Sequence, residues 1–567
     1  MKNRKKRREI FLVNVEKCED FLNGERFDKI VEDPTSSFES RVQKFLRSLK
    51  KRFDPVTYRK IYPTNSKPGL FYGTAKVHKM AENSKEVDEL PVRPIVSSIG
   101  TATYQTSKYL AKLLAPLAKS QYTVESTKEF ISRLRDRTIN DEFEMVSFDV
   151  SSLFTNVPLD FTIDVILKKV YREKKIKTKL KKEELRQLLN ICTKEMHFTF
   201  NNKIYKQNDG VCMGNPLGPV IANIFMVELE CTLVPTLHDI LPEWIRYVDD
   251  TFTFVKKGEL QKVLDALNSF HSDIKFTHEM EQDQCIPFLD VWVRRQDNGS
   301  FTTSVYRKKT SSDIYINWES YAPRTWKIGT LHGLLQRAFM ICSDKAEVEK
   351  EINYLSNVFE KVNGYPNRVI QSTITKVRNK NATESLAEQA TETDSTTEEE
   401  TEVVRPHISL PYGGDKGNTI LKKFKHILER ILPDTVKPGI SVKGRKIGSF
   451  FTLKDKVDEK HLSGFIYEFE CNRKPTCESE YIGETNRRKE IRENEHAHLD
   501  EGSAILQHCK KTKHARAKPK NFKVLASNYP HWQRRKLSES MFIRDRNPSL
   551  NKQGDKHRQS YKLHLFA

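Results

Sequence analysis

Trp244-Ile245-Arg246-Tyr247-Val248-Asp249-Asp250-Thr251-Phe252-Thr253-Phe254 sets two adjacent carboxylates between two runs rich in aromatic and β-branched residues. That pattern predicts strand, tight turn, strand. Neighbouring aspartates at a hairpin tip repel each other unless a cation lies between them, and a divalent metal is the natural candidate. The plain alternative is a good turn pair, since Asp hydrogen-bonds its own backbone. A third carboxylate on a strand and surroundings suited to a polyanion decide between the two.

The surroundings suit one. The chain has 567 residues, enough for about three to four domains, with 37% hydrophobic and 31% charged residues. Its net charge of +21 favours a polyanionic partner, nucleic acid ahead of a membrane surface; charge alone would also fit a merely basic protein. Nine cysteines, scattered except for Cys471 and Cys477, do not form a secreted disulfide framework and fit a reducing compartment. Cys192, Cys212, Cys231, Cys285 and Cys342 read as small buried residues. No run is expected to approach the roughly 18 apolar residues of a membrane span. The basic stretch from Met1 to Arg8 leads into no hydrophobic signal core, and reads as a nuclear address or a solvated end.

The third carboxylate lies upstream. Phe143-Glu144-Met145-Val146-Ser147-Phe148-Asp149-Val150 reads as a strand with Asp149 near its end, followed by a turn and a helix from about 160 to 174. Residues 210 to 226 hold three glycines and two prolines before an apolar helix; the glycines permit close backbone approach to a ligand, and Pro219 suits a first helical turn. This loop lacks the terminal Lys and Ser or Thr of a phosphate loop. Phe71 to Lys79 and Leu90 to Ser97 are short β-like runs bearing Lys76 and Arg93, cations able to reach phosphate. Residues 285 to 293 read as one more strand. From 301 to 378 basic and aromatic side chains interleave, which suits either a surface tracking a nucleic-acid backbone or core aromatics under a charged face.

Asp149, Asp249 and Asp250, with the glycine-rich helix start between them, have the spacing of a polymerase palm. Three carboxylates can hold two Mg²⁺ ions through oxygen ligands. One ion would activate a primer 3′-hydroxyl and the other would neutralise the triphosphate, the two-metal logic of in-line phosphoryl transfer.

The motifs, in collinear order over residues 65 to 375, resemble reverse transcriptases, and more closely those of Penelope-like retroelements: Phe71 to Lys79, Leu90 to Ser97, Ser147 to Pro158, the 210 to 226 loop, Tyr247-Val248-Asp249-Asp250, Ile286 to Asp290 and Tyr306-Arg307-Lys308. The resemblance implies an α+β right-hand polymerase of fingers, palm and thumb that copies RNA into DNA. It implies Asp149 and Asp249 as main metal ligands with Asp250 beside them. Phe154 falls at an aromatic gate against the ribose 2′-hydroxyl, Lys76 and Arg93 would contact the incoming dNTP, and Gly214 would pack near the nascent base pair. The closest alternatives are a telomerase or group II intron type of reverse transcriptase, and a non-catalytic nucleic-acid-binding relic.

The C-terminal stretch carries a second constellation. Gly464-Phe465-Ile466-Tyr467 is strand-like, Tyr481-Ile482-Gly483 leads toward a helix, and Arg492 and His496, four apart, share one helical face. Residues 460 to 555 resemble the small α/β GIY-YIG endonuclease domain, although the first signature departs from the strict tripeptide. The resemblance implies Tyr467 and Tyr481 as the signature tyrosines, Arg492 and His496 on the following helix, Glu539 as the single Mg²⁺-binding carboxylate, and Asn551 closing the set. Cys471 and Cys477 with His508 and His514 could form a Zn²⁺ site, Cys509 being able to replace His508; as bare spacing this is about even with unrelated thiols and histidines, and the resemblance favours zinc.

The chain is expected to divide into a helical extension (1–64), fingers and palm (65–300), a thumb-like helical region (301–380), an acidic disordered linker (381–404), a connector (405–459), the nuclease-like unit (460–555) and a basic tail (556–567). Expected partners are template RNA, a target DNA with its primer 3′ end, and dNTPs, with no membrane. A protein made in the cytoplasm and acting in the nucleus follows; oligomeric state is not legible.

Overall fold

The computed structural model describes residues 15–24, 27–75, 92–135, 137–208, 210–308, 311–388, 407–433, 436–437, 439–444, 458–471, 477–527, 529 and 531–551. Glu243–Tyr247 and Asp250–Lys256 pair antiparallel across the turn that Val248 and Asp249 make. Phe143–Val150 pairs on the far side of Asp250–Lys256 with Asp149 opposite Asp250, and Phe276–Met280 completes a four-stranded sheet.

Strand alternation gives this sheet two buried faces. Val146, Phe148, Val150 and Trp244 enter the main core with the helices Leu159–Leu167, Lys182–Thr193 and Gly218–Leu233. Met145, Ile245, Phe252 and Phe254 face the other way, against the helix Thr127–Arg135 and a neighbouring hairpin. That hairpin corrects the single strand expected over 285 to 293. Leu289, at φ 57, breaks it into Cys285–Phe288 and Val291–Arg295, and Phe301–Val305 adds a third strand.

The helix Gly218–Leu233 and the turn after it also correct an expectation. Residues Gly218–Leu237 are long and apolar enough to span a membrane. Ile221, Ala222, Ile224, Phe225, Met226 and Leu229 are nonetheless fully buried in the main core. A helix covered on most sides by protein needs little polar surface.

A five-stranded sheet lies beside the first, in the order Phe27–Ile30, Lys203–Gln207, His197–Phe200, Gly69–Ala75, Val92–Ser97. Its first strand comes from the expected extension, and Phe38, Val42, Leu46 and Ile61 from the same segment lie in the main core. Residues 1–64 therefore, where described, share the sheet and core of the large N-terminal body rather than standing apart from it.

Beyond the sheets, Arg324–Ile341, Lys345–Asn357 and Asn367–Glu388 pack around Leu331, Leu335, Phe359, Tyr365 and Ile374. The last helix runs through 381–388, into the stretch expected to be a disordered linker; 389–404 lies outside the described residues. The expected connector is a small unit of its own: parallel strands His407–Pro411 and Gly439–Lys443 joined by the helix Gly414–Ile431. The C-terminal unit has Phe465–Glu470 between Glu480–Thr485 and Phe522–Ala526, with helices Lys489–Asn494, Ala504–Thr512 and Trp532–Arg546 around it. The tail 556–567 lies outside the described residues.

Candidate active sites

The three aspartates meet at one edge of the four-stranded sheet. Asp149 and Asp250 are direct cross-strand partners and so project from the same face, with Asp249 beside them in the turn. A cleft of about 250 Å³ opens there, lined by Ser147, Asp149, Asp250, Glu279, Tyr306 and Lys308 among others. Burial, then the charges of Asp249 and Asp149, push the Asp250 carboxyl up to about 6, with Lys308 opposing. Among the described residues these carboxylates are not drawn into a tight cluster of ligand atoms. Three hard oxygen donors that repel one another fit divalent Mg²⁺, which would relieve the repulsion.

Beneath the turn lies a network that sequence reasoning missed. Arg246 and Glu230 are an ion pair with no exposed surface on either side chain. Glu230 also accepts hydrogen bonds from Trp244 Nε1 (3.1 Å) and Ser120 Oγ (2.9 Å). Arg246 Nη1 donates to Asn223 Oδ1 (2.6 Å) and to the Val248 carbonyl (2.9 Å). Val248 sits at φ 59, a left-handed conformation costly for a β-branched residue. The buried guanidinium therefore holds the strained residue that presents Asp249. The only sequence signal was an Arg amid apolar neighbours in the opening stretch.

The expected nucleotide contacts are placed less closely. Arg93 is exposed on the strand Val92–Ser97, opposite Thr74. Phe154 is half-buried in the short helix Leu153–Asn156, its carbonyl accepting from Val211 N (2.8 Å). Lys76 lies outside the described residues. Gly214 has φ +117, and an added Cβ would stand 2.3 Å from the Val96 carbonyl oxygen. The close approach is to the protein's own strand, which Met213 O and Gly214 O join by hydrogen bonds from Val96 N and Ser98 Oγ.

The basic and aromatic stretch divides likewise. Arg307 is locked on Glu351 and stacked 4.1 Å from the Tyr354 ring centre, so it is not free for phosphate. Tyr315 and Trp318 pack on the helical core, whereas Tyr321 and Trp326 are exposed. Asp290, from the Ile286–Asp290 motif, accepts from Thr127 Oγ1 (2.6 Å) and Arg337 Nε (2.6 Å), tying the hairpin to two helices. Of the cysteines expected to be buried, Cys192 and Cys212 are, Cys285 and Cys342 are intermediate, and Cys231 is exposed; it sits on a helix face that turns outward.

In the C-terminal unit the strand Phe465–Glu470 delivers Tyr467 into the interior, where its hydroxyl meets His496 Nε2 (2.5 Å) and accepts from Arg492 Nε (3.1 Å). With Arg492 donating, the Tyr467 O–H donates to His496 Nε2, and His496 Nδ1–H donates to Ser503 Oγ (2.6 Å). Burial, then the Arg492 charge, push His496 down to about 3, so it is neutral at pH 7. Burial raises Tyr467 far above the usual phenol range. Gly483 makes room for this relay, since a Cβ there would stand 2.6 Å from Tyr467 Oη and 2.8 Å from Tyr481 Cε1. Tyr481, only half-buried, is the more accessible tyrosine.

Glu539 lies on the helix Trp532–Arg546. It accepts from Glu484 N (2.9 Å) and Lys536 Nζ (2.9 Å), while Lys536 also reaches Glu484 at 3.3 Å. Burial raises the Glu539 carboxyl, with Lys536 opposing. Asn551 stands apart from this chemistry: its side chain bonds Ile482 N (2.9 Å) and Ile482 O (2.8 Å), locking the strand that carries Tyr481.

Cys471, Cys477, His508 and His514 bring one ligand atom each within 4.8 Å of all the others. Cys471 Sγ is 3.2 Å from His514 Nδ1 and 3.4 Å from His508 Nε2, and Cys477 Sγ is 3.6 Å from His508 Nε2. A tetrahedral zinc with ordinary Zn–S and Zn–N bonds sets sulfur and nitrogen about 3.6 Å apart. The donor set fits that ion. Cys509 is buried and outside the set.

With this geometry in view, the likeness to known proteins follows. Residues 92–285 match the family described as reverse transcriptase (RNA-dependent DNA polymerase). This part of the chain is a reverse transcriptase domain. It contains Asp149, Asp249 and Asp250. Residues 314–375, covering the helices Arg324–Ile341 and Lys345–Asn357, match the animal helix-turn-helix domain. No curated protein matches the chain. Among solved structures, telomerase from Candida albicans, in complex with a fragment of telomeric RNA, is 11% identical with a TM-score of 0.38 over 61% of this chain and 63% of that one. Apo telomerase from Candida tropicalis is 13% identical, TM-score 0.34, over 62% and 65%. The RNA-dependent RNA polymerase of a sicinivirus is 13% identical, TM-score 0.34, over 57% and 74%. The chain thus spans under two thirds of the telomerases' length.

Proposed function

We propose that this is a Penelope-like retroelement protein that nicks DNA with a GIY-YIG endonuclease unit and extends the exposed 3′ end by copying RNA. One observation carries the reading: a chain with a reverse transcriptase domain also holds a second, separate phosphate-directed constellation, Tyr467, Tyr481, Arg492, His496 and Glu539. Its partners are template RNA, a target DNA whose nicked 3′ end serves as primer, and dNTPs, met in the nucleus. In this reading residues 65–300 supply fingers and palm, with the Phe143–Val150 and Glu243–Lys256 strands in the palm, and the helix-turn-helix region serves as a thumb against the duplex.

In the palm, Asp149, Asp249 and Asp250 would hold two Mg²⁺, which activate the primer hydroxyl and neutralise the triphosphate when bound. Arg246 keeps Asp249 at its station, Lys308 balances the acid edge, and Phe154 gates the sugar. Arg93 and Lys76 steer the triphosphate. In the nuclease unit Glu539 would hold one Mg²⁺, which draws charge from the scissile phosphate. Lys536 releases Glu539 on that exchange. Arg492 steadies the relay, and neutral His496 accepts the hydrogen bond from the Tyr467 hydroxyl and so fixes its orientation without taking its proton. A Zn²⁺ on Cys471, Cys477, His508 and His514 would clamp the ends of the unit.

The test incubates the protein with supercoiled DNA, a defined RNA, dNTPs and Mg²⁺. Nicked DNA joined to cDNA is expected. Asp249→Ala should abolish synthesis but leave nicks, and Glu539→Gln should do the reverse. Undiminished synthesis by Asp249→Ala rejects the polymerase half, and RNA affinity without any turnover in the wild type marks a binding relic.

A further inference from the structure

The segment 33–66 of the polymerase body meets the C-terminal unit through charges withdrawn from water. Arg488 pairs with Glu39 at 3.0 Å, and both side chains are more than nine-tenths buried. Arg488 Nη1 also donates to Ser36 Oγ (2.8 Å), and its backbone N–H donates to Asn65 Oδ1 (3.1 Å). Glu39 uses a carboxylate oxygen to accept from Ser66 N (3.1 Å). A second cluster stands beside it. Asp33 takes His461 Nε2 (2.7 Å) and Lys460 Nζ (2.9 Å) from the C-terminal unit, and Thr35 N (3.0 Å) and Oγ1 (2.6 Å) from its own side. Burial works against the Asp33 carboxylate, yet these hydrogen bonds hold it well below its ordinary range.

Such pairs are not surface decoration. In the docked chain, a substitution that removes either partner leaves the other charge buried and uncompensated, so both members are needed for this contact. The place of contact also matters. Arg488 is the residue immediately before the helix Lys489–Asn494, which carries Arg492 and runs into the turn that holds His496.

We propose that residues 33–66 form a docking socket for the nuclease unit, so that a nick and its extension are made by one rigid molecule acting in cis. The inference rests on the nick-and-extend reading for its consequence, and on the buried contacts alone for the docking itself. A unit swinging on a tether would present the new 3′ end only at the effective concentration its linker allows; a docked unit presents it from a fixed direction.

Two readouts separate docking from function. Zero-length carbodiimide coupling of the wild-type full chain, mapped by mass spectrometry, should join Asp33 to Lys460. The coupling should vanish in Glu39→Arg and in Arg488→Glu and return in the double charge reversal. Failure to couple in the wild type overturns the socket whatever the enzyme does. In the second readout, neither single reversal should alter extension of a pre-nicked template, while joined product from intact DNA should fall at least about tenfold and recover in the double variant. Unchanged joined product in a variant that has lost the coupling overturns action in cis. A wild type that couples but neither nicks nor extends sinks the proposed function and leaves the socket standing.

Discussion

The palm edge and the C-terminal site handle charge in opposite ways. At the palm, Asp149, Asp249 and Asp250 face mainly one another, and Asp250 is driven up to about 6. In the C-terminal unit the single carboxylate Glu539 already has Lys536 and a backbone N–H on its oxygens. In the proposed function this edge would need imported cations before it could act, and the turn that carries Asp249 is fixed underneath by Arg246. The C-terminal site is neutralised in advance, and its accuracy comes from side chains linked in series, Arg492 to Tyr467 to His496 to Ser503.

The contrast breaks most sharply on metal removal. If the four-ligand site holds zinc as proposed, its loss should unfold the C-terminal unit, since such sites contribute roughly 10 kcal/mol or more to small folds. Zinc-selective chelation in excess Mg²⁺, or Cys477→Ser, should erase nicking and one thermal transition while primer extension on a supplied primer persists. Loss of both activities together would show that the two regions do not differ in this way.

The next largest effect belongs to the palm's foundation. Arg246→Met leaves Glu230 charged, buried and unpaired, a change worth about 3–5 kcal/mol, and it frees the Val248 turn. Extension should fall at least about a hundredfold. Part should return in Arg246→Met with Val248→Gly, because glycine adopts that conformation without strain. No rescue, with the fold intact by calorimetry, would mean that Arg246 does not act through the turn.

Much of the palm was legible because its signals are local. Alternating β-branched and aromatic residues end in acids at Asp149 and Asp249-Asp250, and the strands stand where that alternation requires. The buried partners were not. Glu230 lies 16 residues from Arg246, inside a helix, and although an Arg amid apolar neighbours hints at a buried cation, nothing in the sequence names its partner. The hairpin His197–Gln207 was readable, since Asn201-Asn202 supplies two left-handed positions between apolar runs, and it went unread. Leu289 shows the reverse: a bulky residue at positive φ gives no sign of the turn it makes. The helix of the unit over 407–443 was readable and went unread: Ile420, Phe424, Ile427 and Ile431 recur at helical spacing among lysines, although Ile420, Ile427 and Ile431 stay exposed.

A smaller effect tests the relay. His496 is pushed down to about 3, below its unfolded value, so the neutral form is the one the fold accepts. The sign follows: stability is complete above pH 6.5 and is lost as pH falls, because the unfolded chain takes up the proton first. By pH 5 the loss is about 2 kcal/mol. Urea titrations of the C-terminal transition should show this slope, and His496→Asn should flatten it. An unchanged slope would assign the acid sensitivity to other groups.

The smallest expected effect asks whether the C-terminal site, if it is the nuclease proposed, can be made to behave like the three-aspartate edge. Lys536 lies between Glu484 and Glu539 and neutralises both in part. Lys536→Met removes that cation and leaves Glu539 facing Glu484, which keeps Arg535 at 2.8 Å, a step toward the crowded carboxylates of the three-aspartate edge. Half-exposed ion pairs are worth at most about 1 kcal/mol, so the shift should be modest. Nicking should saturate at a Mg²⁺ concentration lower by up to about fivefold, because the ion no longer displaces an ammonium, while the Mg²⁺ dependence of primer extension stays as it was. A higher Mg²⁺ requirement would mean that Lys536 touches the phosphate directly. The two sites would then differ in how they bind substrate as well as in how they store charge.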